Sequence, residues 1–196
     1  MSVSRETIQK LERYAALVER WNQKINLVSA KTLPDFRERH IADCLQLANA
    51  VGDLRGRWVD MGTGAGLPGI VLAISLAQRG IQFTLLESDR RKCAFLRTVI
   101  RELELHNTLI VTERIELSVP QKADVVSARA LAPLPLLLSY VDRHMKPDGE
   151  AWLMKGRSWR QEIDEAALIW RFQTEIFPSS TDPEAAILKI SGVSHA

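Results

Sequence analysis

The chain has 196 residues, 46% of them hydrophobic and 26% charged, with a formal net charge of +2. This is the composition of an ordinary globular protein with room for a substantial core, and it does not by itself announce a nucleic-acid binder. Two cysteines far apart in sequence argue against a zinc site or a disulfide scaffold; a polar start and the lack of any run of about 18 apolar residues leave neither a signal peptide nor a membrane span to expect, which predicts a cytoplasmic location.

Residues 4 to 23 carry apolar side chains at Ile8, Leu11, Tyr14/Ala15, Leu17/Val18 and Trp21, a helical period with Ser4 as its N-cap. Thr32-Leu-Pro-Asp35 has the form of a capping box with proline in the first turn, predicting a second helix that ends near Gly52. Residues 1–56 are therefore read as an N-terminal helical extension packed on a core domain of residues 57–196. Trp21, Asn22 and Asn26 are expected to fix the first helix to that domain.

From Trp58 the pattern alternates. Strands are predicted over 57–61, 82–87, 109–112, 123–127, 150–154, 172–177 and 186–191, and helices over 67–79, 90–104, 133–144 and 158–169. Strands separated by helical crossovers imply an α/β fold, a seven-stranded and mostly parallel sheet covered on both faces. No helix separates the last two strands, so they should pair as an antiparallel hairpin at the sheet edge. Charge is uneven: between Arg79 and Arg101 six Lys/Arg stand against Glu87 and Asp89 alone, a local basic surface that could hold phosphates or be a solvated helix face.

Trp58-Val-Asp-Met-Gly-Thr-Gly-Ala-Gly-Leu-Pro-Gly69 is the stretch with the most chemistry in it. A short apolar strand runs into alternate glycines, Gly62, Gly64 and Gly66, where a ligand can lie against backbone with no Cβ in its way. Asp60 at the strand end suits a ligand with a positive end, such as S-adenosylmethionine. The same residues contain G-x-G-x-x-G at Gly64-Ala-Gly-Leu-Pro-Gly69, so a dinucleotide site is a rival reading. Against it, the match starts four residues beyond Asp60, Pro68 removes a backbone donor, and about 140 residues cannot supply two mononucleotide-binding halves plus a substrate domain. Glu87, after the second strand, is placed to accept ribose hydroxyls. Ile115-Glu116 follows the third strand, where an adenine ring would lie, and Arg129 follows the fourth.

Trp21-Asn-Gln-Lys-Ile-Asn-Leu-Val-Ser29, Arg39-His-Ile-Ala-Asp43 and Asp60–Gly69 come in one order, followed by Phe95-Leu-Arg97, Ser127-Ala-Arg-Ala130 and Met154-Lys-Gly156. This series resembles the bacterial glucose-inhibited division protein B family, from about Glu12 to Ile190. The resemblance implies a class I S-adenosylmethionine-dependent methyltransferase, Rossmann-like, whose last strand is antiparallel. It implies methylation of N7 of one guanine in 16S ribosomal RNA, with the small-subunit RNA or the 30S particle as partner. Nothing in the sequence requires more than a monomer, and no metal is expected. Carried over by position, donor contacts fall on Gly62, Leu67, Ile115, Glu116 and Arg129. Cys44 stands where the family often has serine, and Glu87-Ser88 where Asp-Ser is commoner.

N7 already has an in-plane lone pair and no hydrogen, so its methylation requires positioning and electrostatics rather than a general base. The candidates near the reacting base are Arg129, Lys155, His40 and Asp43. His40 and Asp43 lie three apart on one helix face and could orient the base, close the crevice or merely pack. Arg39, Arg90, Arg91, Lys92, Arg97, Arg157 and Arg160 are candidates for phosphate contacts. Two alternatives stay open: a donor-binding regulatory module without catalysis, and a small NAD-dependent oxidoreductase.

Overall fold

In the computed structural model, which describes residues 4–196, the chain begins with α1 (Arg5–Asn22). Ser4 caps it, its hydroxyl accepting from the Thr7 N–H at 3.1 Å. Leu11, Tyr14, Ala15, Leu17 and Val18 form its buried stripe, as the period predicts. Asn22 ends it: the side-chain oxygen accepts from the Leu27 and Val28 N–H groups at 2.9 and 3.0 Å, and Trp21 stands edge-on to Phe95. Asn26 is exposed and takes no part.

The Thr32 signature misleads. The Thr32 hydroxyl bonds back to the Ser29 carbonyl and pairs with the Ser29 hydroxyl, so it closes a turn instead of capping a helix. Helical winding starts at Phe36 as a π segment, Phe36–Ile41, which runs directly into α2 (Ala42–Ala50). Wide winding there is a local departure of the kind found at functional sites, and it carries His40.

The core alternates as expected: β1 (Arg57–Met61), α3 (Gly69–Ser75), β2 (Gln82–Leu86), α4 (Arg90–Glu102), β3 (Thr108–Val111), β4 (Ala123–Arg129), α5 (Leu134–His144), β5 (Met145–Lys155), α6 (Trp159–Ala167), β6 (Trp170–Pro178) and β7 (Ala186–His195). The sheet order is β3-β2-β1-β4-β5-β7-β6. The first five strands in that order run parallel; β7 is antiparallel to both its neighbours and sits inside the sheet, with β6 outermost. The hairpin is thus present, but its second strand, not its first, joins β5.

Each face of the sheet buries its own cluster. Trp58, Phe83, Leu85 and Val125 pack under α1 to α4, while Val59, Met61, Val126 and Leu153 pack under α5 and α6. The period-two alternation of these residues along the strands is what makes the sheet two-sided. Strand order reverses between β1 and β4, and ligands of such sheets bind outside the carboxyl ends at that switch point.

Candidate active site

The turn after β1 is built by glycines that serve different ends. Gly62, Gly64 and Gly66 all have positive φ (63°, 58° and 95°), a region costly for residues with a Cβ. A Cβ on Gly66 would lie 2.5 Å from Ile70, and one on Gly62 would lie 2.5 Å from Leu131. On Gly64 it would meet only the Gly62 carbonyl, at 3.8 Å. Of the three glycines expected to leave bare backbone for a ligand, Gly64 alone has open space at its Cα, while Gly66 is bare to admit the protein's own helix.

Asp60 has no exposure. One carboxylate oxygen accepts from the Ser127 hydroxyl at 2.7 Å and the other from the Gly69 N–H at 3.0 Å; Trp58 in turn donates its indole N–H to Ser127. Burial pushes Asp60 up to about 6, against the opposing pull of the Ser127 and Gly69 hydrogen bonds. Asp60 lines neither of the two cavities described next. Expected to meet a ligand directly, it instead ties β1 to β4 and pins the start of α3, which fixes the turn from behind. Tyr14 does the same from α1, its buried hydroxyl donating to the Ala65 carbonyl at 2.7 Å.

The first cavity, about 400 Å³, opens over the ends of β1, β2 and β4. Gly62, Gly64, Glu87, Ile115 and Glu116 all line it, with Lys92, Leu131 and Tyr140. Glu87 accepts from the Gly64 N–H at 2.9 Å with one oxygen and from the Asp89 N–H at 2.8 Å with the other. A carboxylate oxygen can take a second donor, so Glu87 is held rigidly and still has lone pairs for hydroxyls. An open Cα at Gly64, a fixed carboxylate beside it and a second one at Glu116, paired with Arg114 at 3.4 Å on the same wall, fit a cationic nucleoside. Gly66 and the buried Leu67 stand behind this wall.

The second cavity, about 280 Å³, brings together Arg39, His40, Asp43, Arg129, Lys155 and the β6–β7 loop. Arg129 donates to His40 Nδ1 at 2.7 Å and pairs with Asp43 at 3.4 Å. Asp43 also accepts from the Ser179 and Thr181 hydroxyls. An arginine can only donate, so Nδ1 is the acceptor and His40 is neutral with its proton on Nε2. Burial, then the Arg129 and Arg39 charges, lower His40 to about 4. The unfolded chain then binds the proton more readily, so His40 contributes stability above about pH 6.5 that is lost as pH falls towards 4. Replacing it by Asn should flatten that part of the stability–pH curve, a difference measurable by chemical denaturation of both proteins from pH 7 to 4.

Arg129, expected among the donor contacts, thus lines the neighbouring cavity. Lys155, expected to reach RNA, is bound instead: its ammonium donates to the Ala132 carbonyl at 2.8 Å and pairs with Glu162, which also accepts from the Leu134 N–H. These contacts hold the bend between β4 and α5. Ala130, with φ +49°, is on that bend and lines both cavities. It is the residue the two chambers have in common.

His144 is a contributor with no sequence signal beyond its type. Fully buried at the end of α5, it donates from Nε2 to the Ile115 carbonyl at 2.9 Å, while Arg143 donates to the Ser118 carbonyl. Both anchor the turn that presents Ile115 and Glu116. His144→Phe should leave that carbonyl only the Ser118 hydroxyl at 3.3 Å, at a cost of about 1 kcal/mol, and loosen donor binding roughly fivefold with kcat nearly unchanged. His144→Gln, which keeps a donor, should recover most of the affinity in calorimetric titration.

Among the described residues no helix is long and apolar enough to cross a membrane. Residues 7–183 match the family model described as GidB, rRNA small subunit methyltransferase G. The chain is 50% identical over 196 residues, all of both chains, to the ribosomal RNA small subunit methyltransferase G of Paracoccus denitrificans (strain Pd 1222). It is 46% identical over 191 residues to the protein of that name from Gluconobacter oxydans (strain 621H), covering 97% of this chain and 96% of the other. In three dimensions it is similar to the glycopeptide N-methyltransferase MtfA, solved with S-adenosyl-L-methionine, at a TM-score of 0.63 and 12% identity over 78% of this chain and 94% of that one.

Proposed function

The chain belongs to the rRNA small subunit methyltransferase G family, a family of S-adenosylmethionine-dependent enzymes, and we propose that it methylates N7 of a guanine in 16S ribosomal RNA. The observation that carries the reading is the pair of cavities meeting at Ala130 over the β1–β4 switch point. One is lined by carboxylates and the bare Gly64, and the other by a clamped arginine and a neutral histidine.

When bound, S-adenosylmethionine supplies an electrophilic methyl on a sulfonium; the carbon–sulfur electron pair stays on sulfur and the purine takes up the positive charge. Glu87 and Glu116 would hold the donor's nucleoside, and the Ile115 turn, pinned by His144, would flank its ring. Across Ala130 the base enters the chamber of Arg129, His40 and Asp43. No proton has to leave N7, which agrees with a site whose histidine is neutral and already hydrogen-bonded. The residues act by holding two reactants in line and excluding water. The RNA must offer the guanine unstacked, from a loop or flipped out.

Labelled donor mixed with small-subunit RNA or 30S particles tests this directly. Label should enter the RNA, and chemical cleavage at 7-methylguanosine should map to one nucleotide. Tight donor binding without incorporation into either substrate would favour a binding module. Incorporation at another atom would remove the N7 assignment.

A further inference from the structure

α4 carries cations that the two chambers do not use. Arg90, Arg97 and Arg101 are exposed and fall on one stripe at positions i, i+7 and i+11, about 16 Å along the helix. The last turn of α1 faces the far end of this stripe: Arg20, Trp21 and Lys24 line a groove of about 260 Å³ with Thr98, Arg101 and Glu102. Among the described residues, Arg20, Lys24, Arg90, Arg97 and Arg101 have no carboxylate within ion-pair distance. The nearby acids are engaged elsewhere, Glu102 with Arg13 at 3.3 Å and Asp89 with Arg91 at 3.6 Å. The positive charge of this face therefore stands uncompensated.

Resting on the functional reading above, we propose that this α1–α4 face is a track for the phosphate backbone of the substrate RNA outside the methylated loop. Ser88 and Lys92, at the start of the same helix, line the first cavity; Lys92 lies on the side of α4 opposite the stripe, so the Arg90 end of the stripe is near the crevice and the Arg101 end is far from it. The length of the stripe covers several phosphates at about 3.4 Å of axis per nucleotide of one strand. Arginine forks suit phosphate oxygens, and such contacts set register without reading sequence. An acidic protein surface is the weaker fit: the large exposed apolar side chains lie at Ile8, Leu109, Leu117, Val119, Leu136, Leu168, Ile169 and Ile176, none of them on this stripe or in the groove, and a protein partner would want such anchors.

The test is a triple variant, Arg20→Gln, Lys24→Gln and Arg101→Gln, whose side chains make no hydrogen bond in the structure and whose loss leaves the core untouched. Arg55→Gln, exposed before β1, serves as control. Affinity for protein-free small-subunit RNA is measured from about 50 to 200 mM salt, beside donor titration and thermal melting. The triple variant should bind RNA on the order of tenfold more weakly at the low-salt end, and its log–log salt slope should shrink by about two to three. Donor affinity and melting should match wild type. Unchanged RNA affinity and slope in the folded variant overturns the track, as does weakening seen only with protein-containing particles, which would assign the face to an acidic protein. Should the triple variant melt early, Lys24→Gln alone decides, with a slope change of about one expected and none overturning the idea. Wild-type protein that methylates no small-subunit RNA would instead overturn the functional reading.

Discussion

Arg129→Ala should lower single-turnover methyl transfer by about a hundredfold or more while donor affinity falls far less. The rate loss follows from losing the group that holds His40 and Asp43 in place around the base, on which in-line positioning depends. The small effect on donor binding follows from its position, since Arg129 lines the second chamber and not the one with Gly64 and Glu87. Removing the guanidinium also strands Asp43, whose side chain is only 14% exposed, with two hydroxyls and no cation. Leaving a buried charge unpaired costs up to about 3–5 kcal/mol, so the melting temperature should drop as well. Arg129→Lys separates the two effects: it keeps the charge near Asp43 but cannot bond His40 and Asp43 in the same fork geometry. It should restore most stability and little of the rate. A variant with normal rate at saturating donor and a collapsed donor affinity would move Arg129 into the donor site.

Two glycines five residues apart in the same turn should respond in opposite ways. Gly64→Ala adds a Cβ with only the Gly62 carbonyl near it, at 3.8 Å, so the fold should survive with about 1–2 kcal/mol of left-handed strain. The new methyl stands in the wall of the first cavity, and donor affinity should fall at least tenfold in calorimetric titration. Gly69→Ala drives its Cβ to 2.4 Å from Leu85 and 2.7 Å from the Asp60 carboxylate that its own N–H bonds. Overpacking and a stretched hydrogen bond to a buried charge together should cost about 3 kcal/mol or more, lowering the melting temperature by roughly 6–12 °C. If Gly69→Ala melts like wild type, the close approach of α3 to β1 is wrong; if Gly64→Ala binds donor normally, the donor lies elsewhere.

Much of this site was legible in the residues themselves because its signals are local. Gly64 and Glu87 could be picked out because a turn after a strand that must stay open needs glycine, and a carboxylate after the next strand comes to lie beside it. Ser4 capped the first helix as its type suggests, and short apolar runs at 57–61 and 82–87 marked the strands nearly to the residue. Thr32 failed for the complementary reason: Ser29, three residues earlier, competes for its hydroxyl, and a four-residue signature cannot weigh that competitor.

Length, charge, periodicity and the glycine turn determined an α/β sheet and led to the proposal of a nucleoside site at the end of its first strand. Only the tertiary structure decided that Asp60 braces the turn through Ser127 and Gly69, that Arg129 belongs with His40 and Asp43 some 89 residues away, and that Ala130 lines both chambers. The physical reason is range. A dihedral preference or an apolar period acts within a few residues and is written in them, whereas the partner of a buried charge is set by which strands end up adjacent, and that is fixed only when the sheet closes around its core.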